Sequence, residues 1–268
     1  MTDTPSALSP VITAYDMGSG VTAFSTTRHG GCSTGLYASL NVNPYCGDDP
    51  HHVARNRAAL CRHLGIAPDR LLLPHQTHQT RVACIDSHFM SLPADAQQAA
   101  LEGVDALTTS LEGLCIGVST ADCIPVLLYD PVRRAVAAIH AGWRGTVQRI
   151  VRHAVHTMAQ TYGTRPADIV AQIGPGIGME RFEVGQEVYD AFAQAGFDMD
   201  RISRRYDKWH IDLPLCNSMQ LAEAGVAQGH IARSAACTFE QHHTYFSARR
   251  LGTASGRMLT AIMLEHGQ

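Results

Sequence analysis

The chain has 268 residues, of which 45% are hydrophobic and 17% charged, so it carries enough apolar material to bury a sizeable core. Its formal charge of −3 comes from intermixed acids and bases without a basic stripe, and we therefore expect no nucleic-acid partner. No long apolar run or export signal is evident, and the eight cysteines include no CxxC pair. These features predict a cytoplasmic protein with reduced thiols and no membrane partner.

Strands and helices alternate only partly in the predicted order of elements. A strand at Val21–Thr26 leads into a glycine-rich loop at 28–35, and a helix begins after Asp49 and ends at Gly65. Short apolar runs then predict strands, and stripes of helical period predict helices. The later predicted strands are at 114–118, 124–129, 135–139, 169–173, 235–239 and 257–264, and the later helices are at 146–162, capped by Thr146, 185–195 and 212–224. This order predicts a single α+β domain over residues 1–268, a mixed layered sandwich rather than a doubly wound parallel sheet.

Three metal-binding side chains each follow the end of a predicted strand. They are His75, Cys123 and His140. Two imidazoles and a thiolate suit zinc, and three protein ligands leave one coordination position open for chemistry. The spacing matches no compact zinc motif, so the alternative stays open that these are hydrogen-bonded histidines and a buried thiol.

Five short stretches occur in an order that resembles one known family. They are residues 74–78 (PHQTH), 121–126 (ADCIPV), 140–145 (HAGWRG), 173–175 (IGP) and 182–188 (FEVGQEV). Together they resemble the YfiH family, whose members are called laccase-domain or polyphenol oxidase proteins, peptidoglycan editing factor and purine nucleoside phosphorylases. The resemblance extends from Arg28 to Arg257, although the chain departs from the family pattern at 243–250 and at Ser255.

The resemblance implies a fold, a metal site and an activity. The fold would be similar to that of the cytotoxic-necrotizing-factor catalytic domain, and zinc would be bound by the residues that match His75, Cys123 and His140. The implied function is a zinc-dependent purine nucleoside phosphorylase acting on adenosine, inosine and methylthioadenosine, with adenosine deaminase activity. Its partners would be a purine nucleoside and phosphate, and the resemblance leaves open whether the protein is a monomer or a homodimer.

Candidate substrate contacts follow from what phosphate and ribose require. Arg28 in the glycine-rich loop is the first candidate for binding phosphate and Arg144 the second, because a guanidinium donates two parallel hydrogen bonds. Asn41 is a candidate for a ribose hydroxyl or a base edge. Each also has a structural alternative: a paired or solvated arginine, or an asparagine that stabilises a turn.

Other polar side chains near these motifs have two interpretations each. Asp122 would either orient a ligand histidine or serve the backbone, and the second is favoured because adjacent strand residues face opposite ways. His78 would be a proton shuttle or a support for its loop, and support is favoured. Trp143 is more typical of core packing than of a purine platform.

Three alternative functions remain open at this stage. A metal-independent hydrolase would use Cys123 as nucleophile and His140 as base, and would edit peptidoglycan precursors. A copper-dependent polyphenol oxidase, or laccase, would need further histidine-bound coppers, and the chain has no His-x-His pair. A zinc-stabilised binding module would need a fourth protein ligand.

Overall fold

A computed structural model describes residues 8–267. Within that range the strands are Ile12–Tyr15 (β1), Val21–Thr26 (β2), Leu71–Leu72 (β3), Val82–Ile85 (β4), Ala106–Thr109 (β5), Cys115–Thr120 (β6), Ile124–Asp130 (β7), Ala135–Ala141 (β8), Val170–Ile173 (β9), Glu183–Val184 (β10), Ser203–Arg205 (β11), Trp209–Ile211 (β12), Ile231–Arg233 (β13) and Met258–Leu264 (β14). The helices are Pro50–Leu64 (α1), Ser87–Ser91 (α2), Ala94–Ala100 (α3), Trp143–Val147 (α4), Ile150–Tyr162 (α5), Gln186–Gln194 (α6), Met199–Ile202 (α7), Leu213–Glu223 (α8) and Ala248–Leu251 (α9). None of the helices in this range is both long and apolar enough to cross a membrane.

The strands form two large mixed sheets and one small one. The five-stranded sheet has the order β1-β2-β14-β6-β3, and the six-stranded sheet has the order β13-β9-β7-β8-β5-β4. Strands β10, β12 and β11 form a separate three-stranded sheet. The chain passes from the first large sheet to the second between β6 and β7, and β7 then pairs with β8 as an antiparallel hairpin, with Pro125 opposite His140.

Side chains of alternating direction divide the core into layers. In β7, Val126 and Leu128 pack toward α5, α6 and α8, whereas Leu127 and Tyr129 pack toward the five-stranded sheet. In β14, Ile262 faces that inter-sheet core, while its neighbours on the strand pack toward α1. This period of two is what a strand buried on both faces produces. The order of layers is therefore helix, sheet, sheet, helices, which confirms the predicted α+β sandwich.

The predicted helix after Asp49 is confirmed, with the capping chemistry that its sequence indicates. The Asp49 carboxylate accepts a hydrogen bond from the backbone N–H of His51 at 2.8 Å, and Pro50 occupies the first turn. Gly65 ends the helix in the left-handed conformation, with φ of 69°. The predicted helices at 185–195 and 212–224 correspond to α6 and α8, each shorter by one residue at both ends.

Most predicted strands are present, with bounds that differ by up to two residues. The strand Val21–Thr26 is confirmed. The predicted strands at 114–118, 124–129, 135–139, 169–173 and 257–264 correspond to β6, β7, β8, β9 and β14. The strand predicted at 235–239 is wrong: those residues form turns, with Cys237 in an isolated bridge to Gly176, and the strand lies earlier at Ile231–Arg233. A turn there allows the chain to run back toward the first sheet.

The single helix predicted from residue 146 is also wrong at its start. Two helices replace it, because Arg149 adopts a left-handed conformation with φ of 64° and interrupts the helical path between α4 and α5. Thr146 is no cap: its hydroxyl lies inside α4, where it donates to the carbonyl of Ala141 and accepts from the amide of Asn217. Helix α4 therefore follows His140 almost at once.

Candidate metal centre

The fold brings together the side chains of His78, Cys123 and His140 from three separate segments of the chain. Cys123 is the last residue of the passage between the two large sheets, and His140 is in β8, which the hairpin with β7 brings alongside. His78 lies in the loop between β3 and β4 and has a positive φ of 63°. One ligand atom from each residue lies within 4.8 Å of the other two. The His78 and His140 rings meet edge to face, with centroids 4.8 Å apart.

The predicted ligand set is wrong in one member, because His75 is not in this cluster. Its Nδ1 lies 2.8 Å from the Glu102 carboxylate, and its ring stacks on Tyr45 with centroids 4.4 Å apart. The backbone fixes this orientation, since His75 N–H donates to the Leu101 carbonyl and the His75 carbonyl accepts from Gly103 N–H. The loop then turns, and it is His78 that reaches Cys123. The favoured interpretation of His78 as a support for its loop is therefore corrected, because its side chain belongs to the cluster.

A buried carboxylate, Asp105, organises two of the three ligands. Its Oδ1 lies 2.7 Å from His140 Nδ1, which leaves His140 Nε2 for the cluster. The same carboxylate accepts the backbone N–H groups of Thr77, His78 and Gln79 at 2.8–3.2 Å. Metal-bound histidines characteristically have such a partner on their second nitrogen. Sequence reasoning missed Asp105, although its place directly before a buried strand was a usable signal.

The electrostatics of the cluster favour a thiolate beside an imidazolium when no metal is bound. Burial alone would raise the pKa of the Cys123 thiol, but His140 and the hydrogen bonds from His140 and His78 lower it to about 6. Burial alone would lower the pKa of His140, but Cys123 and Asp105 raise it to about 9. For Asp105, burial opposes ionisation, yet His140 and the backbone donors of Gln79 and Thr77 lower its pKa below the ordinary value. The site therefore stabilises the deprotonated sulfur that metal ligation needs.

The donor set and the space around it fit a zinc ion. Two imidazole nitrogens and one thiolate are a recognised catalytic set that leaves a fourth position free. Gly142 supplies the space, because a Cβ there would lie 3.0 Å from His78 Cδ2 and 3.2 Å from Cys123 Sγ. Within residues 8–267 no other group of three such side chains converges.

A prediction about Cys123 follows from its lowered pKa. Since the folded value is near 6, the thiolate should persist above that pH in metal-free protein and be lost as the pH falls through it. Alkylation of Cys123 by iodoacetamide, followed by peptide mass spectrometry, should therefore have a midpoint near pH 6, and added zinc should suppress it. A midpoint near 9, the ordinary value of a thiol, would contradict the electrostatic interpretation. Exposed Cys84 is the internal reference.

The cluster opens into a cavity of about 690 Å³. This volume is in the range of small-molecule sites. Besides the cluster, its wall includes Asn43, Tyr45, Cys46, His75, Gln76, Ser119, Thr120, Ala121, Asp122, Ile177, Phe182, Ala248, Arg249, Thr253 and Arg257. Two of these, Arg249 and Arg257, bring positive charge to the wall. Both arginines lie in segments that belong to the family resemblance, but neither is among the predicted ligand contacts.

Asp122 ties the Cys123 segment to the segment that carries Arg249. Its Oδ1 accepts from the Thr238 hydroxyl at 2.6 Å, and its Oδ2 accepts from the Arg249 backbone N–H at 2.6 Å. Asp122 also has a positive φ of 86°, a conformation that costs free energy for a residue other than glycine. Both carboxylate oxygens thus serve the protein frame, as the favoured structural interpretation predicts, and neither touches a ligand histidine.

The three predicted substrate contacts lie away from the cavity wall. Arg28 donates from Nε to the Ala38 carbonyl and from Nη1 to the His242 carbonyl, both at 2.8 Å, and it is absent from the cavity wall. Asn41 is fully buried and accepts from the Arg257 backbone N–H, which makes it a support for that residue. Arg144 is exposed and covers the ring of Trp143 at 4.2 Å. Their roles as direct contacts are therefore not supported by the geometry.

Known proteins resemble this chain along most of its length. The model of the family described as multi-copper polyphenol oxidoreductase laccase matches residues 22–265. A purine nucleoside phosphorylase from Bacteroides thetaiotaomicron is 48% identical over 249 residues, 92% of each chain, and adenosine deaminase RL5 from an unknown prokaryote is 46% identical over 91% of this chain and 94% of its own. The crystal structure of a hypothetical protein YfiH from Bacillus licheniformis has a TM-score of 0.89 at 31% identity, covering 96% of this chain and 97% of that one.

Proposed function

We propose that this chain, which belongs to the laccase-domain (YfiH) family, is a zinc-dependent purine nucleoside phosphorylase that also deaminates adenosine. One observation carries the proposal: a His₂Cys cluster with an open position faces the same cavity as two arginines. Adenosine, inosine and methylthioadenosine are the proposed substrates. Eight free thiols suit the reducing cytoplasm, which is the proposed location.

Phosphate would be held by Arg249 and Arg257. Neither guanidinium lies within 4 Å of a carboxylate among residues 8–267, so their charges are available to a dianion. Each is aimed by backbone: Arg257 donates to the Ser255 carbonyl at 2.7 Å and the Thr253 carbonyl at 2.9 Å, and Arg249 donates to the Glu183 carbonyl at 3.1 Å. A preorganised guanidinium is the side chain best suited to phosphate.

The cluster of His78, Cys123 and His140 would form the remaining part of the proposed site. Zinc held by His78, Cys123 and His140 would supply Lewis acidity at the open position. The residues of the chain would do the rest: Arg249 and Arg257 orient the attacking phosphate, and Asp122 holds the Arg249 segment in register with Cys123. In phosphorolysis, positive charge develops on the sugar and negative charge on the departing base, so a site that holds phosphate beside C1′ and stabilises the base lowers the barrier.

The test is a product analysis on protein of measured metal content. Adenosine and inosine are incubated with and without phosphate, and ribose-1-phosphate, free base and ammonia are identified by mass. Phosphate-dependent ribose-1-phosphate is expected from both nucleosides, and ammonia from adenosine alone. Absence of turnover of any purine nucleoside would overturn the proposal.

The arginines can be tested separately within the same assay. Arg249→Ala and Arg257→Ala are each expected to raise the KM for phosphate by at least about tenfold, because a charge-assisted hydrogen bond contributes about 1.5–3 kcal/mol. The matched control is Arg250→Ala, since Arg250 is the exposed neighbour of Arg249 and is absent from the cavity wall. Equal effects at 249 and 250 would contradict the assignment.

A second candidate function is favoured by the position of Cys123 beside His140 and His78. A cysteine hydrolase would use the same sulfur as nucleophile and His140 as base. Chelation separates the two: phosphorolysis that is lost on chelation and restored by zinc supports the metal enzyme, whereas chelator-insensitive hydrolysis that alkylation abolishes supports the thiol. The family is also described as a multi-copper polyphenol oxidoreductase, and stoichiometric copper with an intense blue absorption would be the evidence for that activity.

A further inference from the structure

One ionisable side chain on the cavity wall has no part in the cluster or in the proposed phosphate site. His75 is held on three sides: its backbone bridges to Glu102, its Nδ1 lies 2.8 Å from the Glu102 carboxylate, and its ring stacks on Tyr45. Its other nitrogen, Nε2, has no hydrogen-bond partner within residues 8–267. An imidazole oriented by a carboxylate at one nitrogen presents the other nitrogen to whatever occupies the cavity.

The pairing with Glu102 matters because it fixes which ring nitrogen of His75 is left for the cavity. Both groups are partly exposed, with side-chain exposures of 38% for His75 and 61% for Glu102, so solvent can return a proton after each turnover. Glu102 is itself fixed, since its carbonyl accepts from Arg81 Nη1 at 2.7 Å. The His75 ring is therefore oriented by Glu102 and open to proton exchange with solvent.

The other ionisable groups of the cavity wall are unsuited to donating a proton at neutral pH. Burial raises the pKa of both Tyr45 and Cys46, so these groups hold their protons firmly. Both oxygens of Asp122 are engaged, and guanidinium groups do not give up a proton in proteins. The three residues of the cluster would be committed to the metal. Within the described part of the wall, this leaves His75.

Phosphorolysis needs such a donor. The C1′–N9 bond breaks with its electron pair moving into the purine, and expulsion of an anionic base is difficult unless a ring nitrogen is protonated as the bond breaks. The arginines cannot supply that proton, because guanidinium groups keep theirs in proteins. The departing purine therefore needs a proton donor, and the His75 imidazole is a side chain in the cavity that can serve as one.

We propose that His75 is the general acid that protonates the departing purine at N7, with Glu102 as its positioning residue; this inference rests on the proposed phosphorylase function. A phosphate oxygen forms a bond to C1′ as the C1′–N9 bond breaks, and the proton on His75 Nε2 moves to N7. The neutral imidazole remains hydrogen-bonded to Glu102 through Nδ1. The proton that the phosphate group loses on becoming the ribose-1-phosphate dianion replaces, through solvent, the one that His75 gave.

The test compares two nucleosides that differ in their need for an acid. Inosine must be protonated to leave as a neutral base, whereas 7-methylinosine already carries positive charge on its base and leaves without a proton. His75→Gln is expected to lower kcat for inosine by about 100-fold, the lower end of general acid catalysis, and to leave kcat for 7-methylinosine unchanged. Turnover of 7-methylinosine by the same variant also shows that it is folded and loaded with metal.

Two further variants locate the effect. Glu102→Gln keeps a hydrogen-bond acceptor at Nδ1 but removes the charge, so it should lower kcat for inosine by a smaller factor and also leave 7-methylinosine unchanged. His63→Gln changes an exposed histidine that is absent from the cavity wall and should behave as wild type with both substrates. Equal losses on the two nucleosides in His75→Gln, or a change confined to KM, would overturn the proposal by showing that His75 only binds the base. Wild-type protein that turns over neither nucleoside would instead refute the phosphorylase function itself.

Discussion

Replacement of His78 by alanine is expected to reduce bound zinc from about one ion per chain to near zero. The reason is geometric: His78 contributes one of three ligand atoms that lie within 4.8 Å of one another, and two protein ligands hold zinc weakly. The measurement is metal content by mass spectrometry after dialysis against a weak chelator. Phosphorolysis should be lost with the metal and should not return on adding stoichiometric zinc.

His75→Ala is the matched control for this prediction, since both histidines belong to the same five-residue stretch. Its ring faces Glu102 and Tyr45, so its removal should leave zinc content at the wild-type level. The opposite pattern, with metal lost from the His75 variant and kept by the His78 variant, would restore the ligand set that the sequence alone predicts.

Replacement of Asp105 by alanine should cost about 3–5 kcal/mol of unfolding free energy in metal-free protein. Its carboxylate is fully buried and serves His140 and three backbone N–H groups, all of which would lose their acceptor together. Urea denaturation at constant pH measures the change. Asp105→Asn keeps an acceptor and should be milder, while still lowering zinc affinity by about 10–100-fold through its effect on His140.

The pH dependence of the Asp105 contribution has a definite sign. Its folded pKa is lowered, because the hydrogen bond from His140 and the backbone donors outweigh burial. A carboxylate of this kind stabilises the fold above its unfolded pKa of about 3.9 and loses that contribution as the pH falls through the folded value. The stability difference between wild type and Asp105→Asn should therefore shrink below about pH 4. It should also shrink as the pH rises from 6.5 toward 9, because Asp105 helps to raise the pKa of His140 to about 9 and that contribution is lost above it. A difference that grows in acid would contradict the assigned partner.

Much of the fold could be predicted from local sequence, because period and caps act over a few residues. Asp49 and Gly65 bracket α1, and the apolar runs of β7 and β8 are long enough to require burial on both faces. The strand predicted at 235–239 failed because its backbone is irregular apart from the bridge between Cys237 and Gly176, while Ala236 and Phe239 pack into different clusters. The break in the helix at Arg149 also could not be predicted, since no local sequence pattern indicates that an arginine adopts the left-handed conformation.

The candidate site shows the same division between local and long-range information. Cys123 and His140 were found because each ends or borders a buried strand, and the hairpin that joins them is short in sequence. His75 and His78 could not be separated, since both lie in one loop and the choice depends on the distant Glu102 and Asp105. The backbone N–H groups of Arg249 and Arg257 are held by Asp122 and Asn41, each more than 100 positions away, which local sequence does not reveal.

The position of β14 has a consequence for how the protein is made. This strand, Met258–Leu264, lies between β2 and β6 in the five-stranded sheet, although it is the last strand of the described chain. Until β14 is in place, β2 and β6 each present an unpaired apolar edge, and Arg257, which immediately precedes β14, is not yet in the cavity. Chains in which β14 has not yet paired should thus bind chaperones, and catalytic competence should appear only when it pairs.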